Sequence, residues 1–189
     1  MTEEIKLFGK WDLSEVTVSD LGLQRYISLN PVYFPHSGGR YQDQRFKKAE
    51  MSIVERFVNK LMKKGKNAGK KQRVINVVRV AFEIIHERSN QNPVQALVNA
   101  ICNVAPREET TRLTYGGVAQ HISVDVSPLR RVDLALRFLA AAIKQKSFNN
   151  IKSFEEVVAE ELILAAKDDQ SSAAVKRKLE IERIALSAR

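Results

Sequence analysis

The segment Thr110–Val126, with the sequence TTRLTYGGVAQHISVDV, has the pattern that most clearly distinguishes the fold of this chain. Two runs rich in β-branched and aromatic residues flank Gly116 and Gly117, and glycine supplies the positive φ that a tight hairpin turn requires. In the second run, apolar residues alternate with polar ones, which gives a strand one apolar face. The pattern predicts a β-hairpin at about residues 108–126.

Helical patterns lie on both sides of the hairpin, three before it and three after it. Residues suited to helix starts precede most of them, namely Ser52, Asn92, Ser127, Ser153 and either Ser171 or Ser172. Ser52 with Glu55, and Ser153 with Glu156, also have the spacing of a capping box. The predicted fold class is therefore mainly α, a bundle of about six helices with an inserted β-hairpin arm.

The first fifty residues lack a clear helical period. Turn signals at Asn30-Pro31 and at residues 35–39 interrupt them. We interpret residues 1–50 as an extended basic N-terminal arm. Residues 51–189 are then the helical domain that carries the hairpin.

Positive charge is concentrated in one part of the chain. The 189 residues have a formal net charge of +9, and residues 36–79 alone carry thirteen basic and three acidic side chains, a net +10. Within them, Lys63–Lys71 has five lysines in nine residues, whose mutual repulsion costs stability unless a polyanion offsets it. Nearby aromatic residues are interleaved with the cations: Tyr33, Phe34, Tyr41 and Phe46. This mixture favours a nucleic-acid partner that offers phosphates and unpaired bases.

The hairpin has two possible roles. It is either a structural ribbon that caps the bundle or an arm that protrudes and probes RNA. A two-stranded arm in a helical domain has little core to fill, which favours the second role. Arg112 and the Gly116-Gly117 tip would then make the contacts.

The sequence contains no pattern typical of an enzyme or a metal site. His36, His86 and His121 have no ligand spacing, and Cys102 is the one cysteine. The glycines and lysines of residues 65–71 lack the preceding strand and the following Ser or Thr of a phosphate-binding loop. We therefore expect no catalytic residues, no metal and no cofactor.

Hydropathy and cysteine content indicate the compartment. No apolar run approaches the roughly 20 residues that a membrane-spanning helix needs, and the N-terminus lacks the apolar core of a signal peptide. A single cysteine suits a reducing cytosol. The expectation is a cytoplasmic protein without a membrane partner.

An ordered set of short motifs resembles the universal small-subunit ribosomal protein seven family, in its eukaryotic form (often numbered five). The motifs are His36-Ser37-Gly38-Gly39-Arg40-Tyr41, Arg45-Phe46-Lys47-Lys48-Ala49, Gly69-Lys70-Lys71, Asn92-Pro93, residues 106–112, residues 124–132 and Ala159-Glu160-Glu161-Leu162. They cover about residues 5–189. No single motif is specific, whereas the ordered set is.

The resemblance implies a structural component of the small ribosomal subunit. It implies binding to the 3′ domain of small-subunit rRNA and a part in nucleating assembly of the subunit head. The hairpin would lie near the mRNA exit channel and the exit-site tRNA, with neighbouring small-subunit ribosomal proteins as further partners. The place of work would be the cytoplasmic ribosome, with a nucleolar stage during assembly in a eukaryotic cell.

The resemblance also implies two groups of contact residues. The rRNA-binding group would be Arg40, Tyr41, Arg45, Lys47, Lys48, Lys70, Lys71, Arg130 and Arg131, to which the lysine-rich segment adds Lys63, Lys64 and Lys66. The group on the hairpin that faces tRNA and mRNA would be Arg112, Tyr115, Gly116 and Gly117.

Other classes of protein remain open from the residues alone. A free-standing helical DNA-binding or chromatin protein would place one helix in a groove and bind duplex DNA comparably well. A protein–protein adaptor would use the basic face on an acidic partner. An RNA-modifying enzyme is disfavoured because the sequence offers no catalytic constellation.

Overall fold

The computed structural model describes residues 5–62 and 67–189 of the chain. The described residues form seven α-helices: α1 (Leu21–Gln24), α2 (Ile53–Leu61), α3 (Lys71–Ser89), α4 (Pro93–Val104), α5 (Pro128–Ser147), α6 (Phe154–Ala166) and α7 (Ala173–Ser187). A short 3-10 turn, Lys47–Ala49, precedes α2. Six of the helices are those that the sequence predicts, and the short α1 lies within the first fifty residues. The prediction of a mainly α fold is confirmed.

The hairpin lies between α4 and α5, as predicted. Strand β1 (Glu108–Tyr115) pairs antiparallel with β2 (Val118–Asp125), so that Glu108 faces Asp125 and Tyr115 faces Val118. Gly116 and Gly117 connect the strands with φ values of 55° and 84°. Positive φ at both central positions gives the turn a twist that matches the strands, which explains the glycine pair.

The root of the hairpin rests on α7. The Ser123 amide donates to the Ala188 carbonyl over 3.3 Å, and the Arg107 amide donates to Glu182 Oε1 over 2.9 Å. The guanidinium of Arg189 pairs with Glu108. Further out, Leu113, Val118 and Ile122 are exposed. The hairpin is therefore fixed at its base and projects beyond it.

The helices enclose one apolar core, in which α6 packs against both α3 and α4. Phe57 of α2, Phe82 of α3 and Leu136 of α5 are among the largest fully buried side chains. Helical spacing puts such residues on one face of each helix, and the bundle buries these faces together.

Part of the segment that we interpret as an extended arm also belongs to this core. Leu7, Leu13 and Leu23 are buried in the same apolar cluster as the helices. Polar contacts fix the segment as well: Asn92 Nδ2 donates to the Asp12 carbonyl over 2.7 Å, and Gln95 Nε2 donates to the Thr17 carbonyl over 2.9 Å. Residues 7–27 thus pack against the helical bundle. The division of the chain into an arm and a helical domain at residue 50 stays a prediction.

The predicted helix caps have different outcomes. The capping box of Ser153 and Glu156 is confirmed, and so are the Asn92 cap of α4 and the Ser172 cap of α7. The capping box at Ser52 is wrong, because Ser52 makes no side-chain cap bond. Glu55, its expected partner, points instead to Ser37 and Lys71.

Candidate nucleic-acid interface

Four cations gather around the carboxylate of Asp133, where α2, α5 and the 3-10 turn meet. Arg56 reaches Asp133 Oδ1 over 3.0 Å and also donates to the Tyr26 carbonyl over 2.8 Å. Lys48 pairs with the other oxygen of Asp133. Lys60 feels the charges of Asp133 and of Arg137, and neither Lys60 nor Arg137 forms an ion pair with a described residue. Among the described residues, no second carboxylate makes an ion pair with any of the four cations.

The electrostatics of this cluster follow from burial and from like charges. Burial opposes the charged form of Asp133, but the bonds from Lys48 and Arg56 outweigh it, and the pKa of that carboxyl is lowered. Burial also lowers the pKa of Lys60; Asp133 opposes this, and the nearby cations Arg137, Lys48 and Arg56 lower the pKa further. Asp133 thus pairs with two of the four cations, and the surplus of positive charge suits phosphates.

An exposed aromatic ring lies beside this cluster. Phe46 precedes the 3-10 turn with a φ of 69°, and its side chain is 61% exposed. A left-handed backbone is strained for an aromatic residue and persists only where the surroundings hold it. Arg45 covers one face of the ring, with its Cζ atom 4.9 Å from the ring centroid. The exposed ring offers a stacking surface for an unpaired base.

The two lysines at the start of α3 have different environments. Lys71 forms an ion pair of 2.5 Å with Glu55, and the side chains on both sides are largely buried. Glu55 also accepts hydrogen bonds from the amide and the hydroxyl of Ser37, over 2.9 and 2.8 Å. Burial opposes the charge on Glu55, but Lys71 and Ser37 outweigh it and lower the pKa of that carboxyl. Glu55 on α2 thus links Ser37 of the N-terminal segment to Lys71 at the start of α3, whereas Lys70 is exposed.

The arginines at the start of α5 are both paired with carboxylates. Arg130 binds Glu109 through two hydrogen bonds of 2.8 and 2.9 Å. Arg131 reaches Asp20 over 2.8 Å and the Pro106 carbonyl over 3.2 Å. Each of these carboxylates neutralises its arginine locally, so the pair attracts phosphate less than a free cation does.

The other predicted contact residues are distributed as follows. Arg40 donates to the Ser37 carbonyl over 3.0 Å, Tyr41 is half-buried, and Lys47 lies in the 3-10 turn beside Lys48. Arg112 is exposed on β1 opposite His121, Tyr115 ends that strand, and Gly116 and Gly117 form the tip. Lys63, Lys64 and Lys66 lie outside the described residues. The structure therefore brings Lys48 into the Asp133 cluster and leaves the hairpin group apart from it.

Sequence reasoning missed Arg56, Lys60 and Arg137 as members of the basic cluster. A signal for them exists in the spacing. Arg56 and Lys60 are four residues apart on α2, and Asp133 and Arg137 are four apart on α5, which places each pair on one helix face. What the sequence does not show is that the two faces meet.

A helical body with a surplus of cations on one face, exposed aromatic rings and a projecting hairpin defines a nucleic-acid-binding protein. In the described ranges 5–62 and 67–189, no group of three or more side chains could hold a metal ion, and no helix has the length and apolar character to span a membrane. The chain belongs to the family described as ribosomal protein S7p/S5e, whose model matches residues 23–189.

Relatives in archaea are similar to this chain over nearly its whole length. Small ribosomal subunit protein uS7 of Methanosphaera stadtmanae is 49% identical over 183 residues, which are 97% of this chain and 98% of the relative. The uS7 proteins of Methanothermobacter thermautotrophicus and Cenarchaeum symbiosum are each 50% identical, over 96% and 100% of this chain and 98% of each relative. The resemblance found in the motifs is confirmed.

Membership of this family decides between the classes that the residues left open. A ribosomal protein is structural rather than catalytic, in agreement with the prediction that the chain is not an enzyme. The alternative of a free-standing DNA-binding or chromatin protein is not supported.

Proposed function

We propose that this chain is a structural component of the small ribosomal subunit that binds and orders the 3′ domain of small-subunit rRNA. The observation that carries the proposal is the surplus of cations around Asp133 on α2 and α5. Cations that outnumber the carboxylates beside them gain most from phosphate, because phosphate both neutralises them and releases its counterions. By ordering this RNA domain, the protein would help nucleate assembly of the head.

The rRNA-binding residues fall into two kinds. Lys48, Lys60, Lys70 and Arg137 are candidates for direct phosphate contact, and Phe46 is a candidate for stacking. Lys71 and Arg131 position the backbone through Glu55 and Asp20. This assignment keeps the predicted surface but gives some of its residues a supporting role.

The hairpin would face mRNA and the exit-site tRNA. The geometry of the hairpin supports this proposal, because α7 holds the root while Arg112 and the Gly116-Gly117 turn project from the helical bundle. Neighbouring small-subunit proteins and rRNA are the other partners. The place of work is the cytoplasmic ribosome. A nucleolar stage would require a eukaryotic cell, whereas the three relatives named above come from archaea.

Two measurements test this function. In filter binding, the protein should bind a transcript of the 3′ domain of small-subunit rRNA more tightly than duplex DNA of equal length, because the RNA offers junctions with unpaired bases. Lys70→Ala should reduce the log–log salt slope by about 1, as expected for one phosphate contact. Equal affinity for duplex DNA, or absence of the protein from small-subunit fractions of a sedimented lysate, would contradict the proposal.

A further inference from the structure

A polar cleft lies on the side of the hairpin root where α1, α4, α5 and α7 come together. Its volume is about 570 Å³, within the range of about 300–1,000 Å³ that is typical of small-ligand sites. The charged side chains that line it are Asp20, Arg107, Arg131, Lys178 and Glu182. Cys102, Asn103 and Leu21 contribute to the same walls.

The side chains of two cations of the cleft form no hydrogen bond or ion pair within the described ranges 5–62 and 67–189. Arg131 is bound to Asp20, whose pKa is lowered because the bonds from Arg131 and the Gly22 amide outweigh the effect of burial. The guanidinium of Arg107 and the ammonium of Lys178, in contrast, make no hydrogen bond or ion pair with described residues. The charge of Arg107 acts on Asp20 without an ion pair, so the guanidinium of Arg107 and the ammonium of Lys178 can still bind an anionic group that has two or more free oxygens.

The cleft also offers hydrogen-bond acceptors. Glu182 Oε1 accepts from the Arg107 amide over 2.9 Å, and Glu182 Oε2 has no bond from any described residue. Asn103 donates both hydrogens of its amide nitrogen to the carbonyls of Ala165 and Ala166, over 3.1 and 2.9 Å. Its Oδ1 atom is thereby left as an acceptor. At the rim, Leu21 is 83% exposed and provides an apolar contact.

This combination identifies the chemistry of the occupant. A carboxylate side chain would satisfy Arg107 and Lys178 but has no N–H group to donate to Glu182 or to Asn103 Oδ1. A nucleotide has both requirements in one unit, because its phosphate is anionic and the edges of most bases donate N–H groups. The apolar rim suits the face of a base. The cleft is also lined by Arg131, which belongs to the predicted rRNA-binding group.

We propose that this cleft binds a single unpaired nucleotide of the RNA, with its phosphate between Arg107 and Lys178 and its base over Leu21. The proposal rests on the proposed function, since the nucleotide belongs to the RNA that the cation-rich face binds. It adds a second contact, separate from the Asp133 cluster, at the root of the hairpin. It also gives Glu182 a second role, as acceptor for the base as well as for the Arg107 amide.

Cys102 provides a direct readout, because it lines the cleft and is the one cysteine of the chain. The full-length protein is treated with iodoacetamide, alone and with a saturating transcript of the 3′ domain of small-subunit rRNA. The expected result is alkylation that is several-fold slower in the complex, because the nucleotide covers the thiol. An unchanged rate in a complex shown by gel shift to be fully formed would overturn the proposal.

A matched pair of variants on α7 completes the test. Lys178 lines the cleft, whereas Lys176 is an exposed lysine two residues away that does not. Lys178→Ala should reduce the salt slope by about 1 and weaken the protection of Cys102, while Lys176→Ala should change neither. If the two variants still bind RNA and show the same salt slope and the same protection of Cys102, the nucleotide site in the cleft is contradicted, but the proposed function is not. Loss of all specific RNA binding by the unmodified protein would contradict the proposed function and the cleft together.

Discussion

The Asp133 cluster and the root of the hairpin are both rich in basic residues, yet their charges are balanced differently. Around Asp133, Lys48 and Arg56 share one carboxylate, while Lys60 and Arg137 add positive charge without an ion pair to a described residue. At the hairpin root, three of the arginines each have a separate carboxylate: Arg130 with Glu109, Arg131 with Asp20, and Arg189 with Glu108. Arg107 and Lys178, in the cleft beside them, form no ion pair with a described residue. The comparison teaches that the number of basic residues in a region does not measure its attraction for phosphate. The attraction depends on how many cations the local carboxylates leave uncompensated.

The largest effect is expected when Asp133 is neutralised. The Asp133→Asn variant leaves the guanidinium of Arg56, whose side chain is 5% exposed, without its counter-charge. Removing one partner of a buried ion pair should lower the free energy of unfolding by about 3 kcal/mol. Urea unfolding followed by circular dichroism measures it. Asp43→Asn is the control, since Asp43 is exposed and should change stability by less than about 0.5 kcal/mol. Equal stability of the two variants would show that the cluster does not depend on Asp133.

The second prediction concerns acid. The pKa values of Asp133 and Glu55 are lowered in the folded protein relative to their ordinary values of 3.8 and 4.5. Their contribution to stability is therefore fully present above about pH 4.5 and is lost as the pH falls through the lowered pKa values. Unfolding midpoints measured from pH 2 to pH 7 should show this loss. The Asp133→Asn variant should show a smaller loss, and an acid dependence equal to that of the unmodified protein would contradict the assignment to Asp133.

The third and smallest effect compares the two regions directly through RNA binding. Lys60→Ala and Arg137→Ala should each reduce the log–log salt slope for the rRNA transcript by about 1, because these cations have no ion pair of their own. Arg130→Ala should reduce it by less than half as much, since Glu109 already neutralises Arg130. The stability lost in Arg130→Ala should be about 0.5 kcal/mol, as for an exposed ion pair. If Arg130→Ala changed the slope as much as Lys60→Ala, the distinction between the regions would fail.

Much of the fold could be predicted from local patterns. The glycine pair at Gly116 and Gly117 sets the hairpin turn, and residues such as Asn92 and Ser153 mark helix starts, because a turn or a cap depends on a few neighbouring residues. The burial of Leu7 and Leu13 could not be predicted, since these residues have no periodic spacing and are buried in the same apolar cluster as the helices.

The candidate site could be predicted only as a region. Charge counts identify residues 36–79, within which Lys48 and Lys70 are exposed. The pairing of Lys71 with Glu55 and of Arg131 with Asp20 could not be foreseen, because the partners are 16 and 111 residues apart. Such pairs form only after the tertiary structure has brought the helices together. Lys60 and Arg137 are likewise far apart in the sequence, so their proximity could not be predicted.

The docking of the N-terminal segment has a consequence for the time at which the protein can fold during its own synthesis. The segment is held by contacts that span 73 to 80 residues, such as those of Lys10 with Glu83 and of Asn92 with the Asp12 carbonyl. At about 5–20 residues per second, the N-terminal residues wait roughly 4 to 16 seconds before these partners are made. During that interval Leu7 and Leu13 are exposed to solvent, so the nascent chain is most vulnerable to aggregation before α4 is complete.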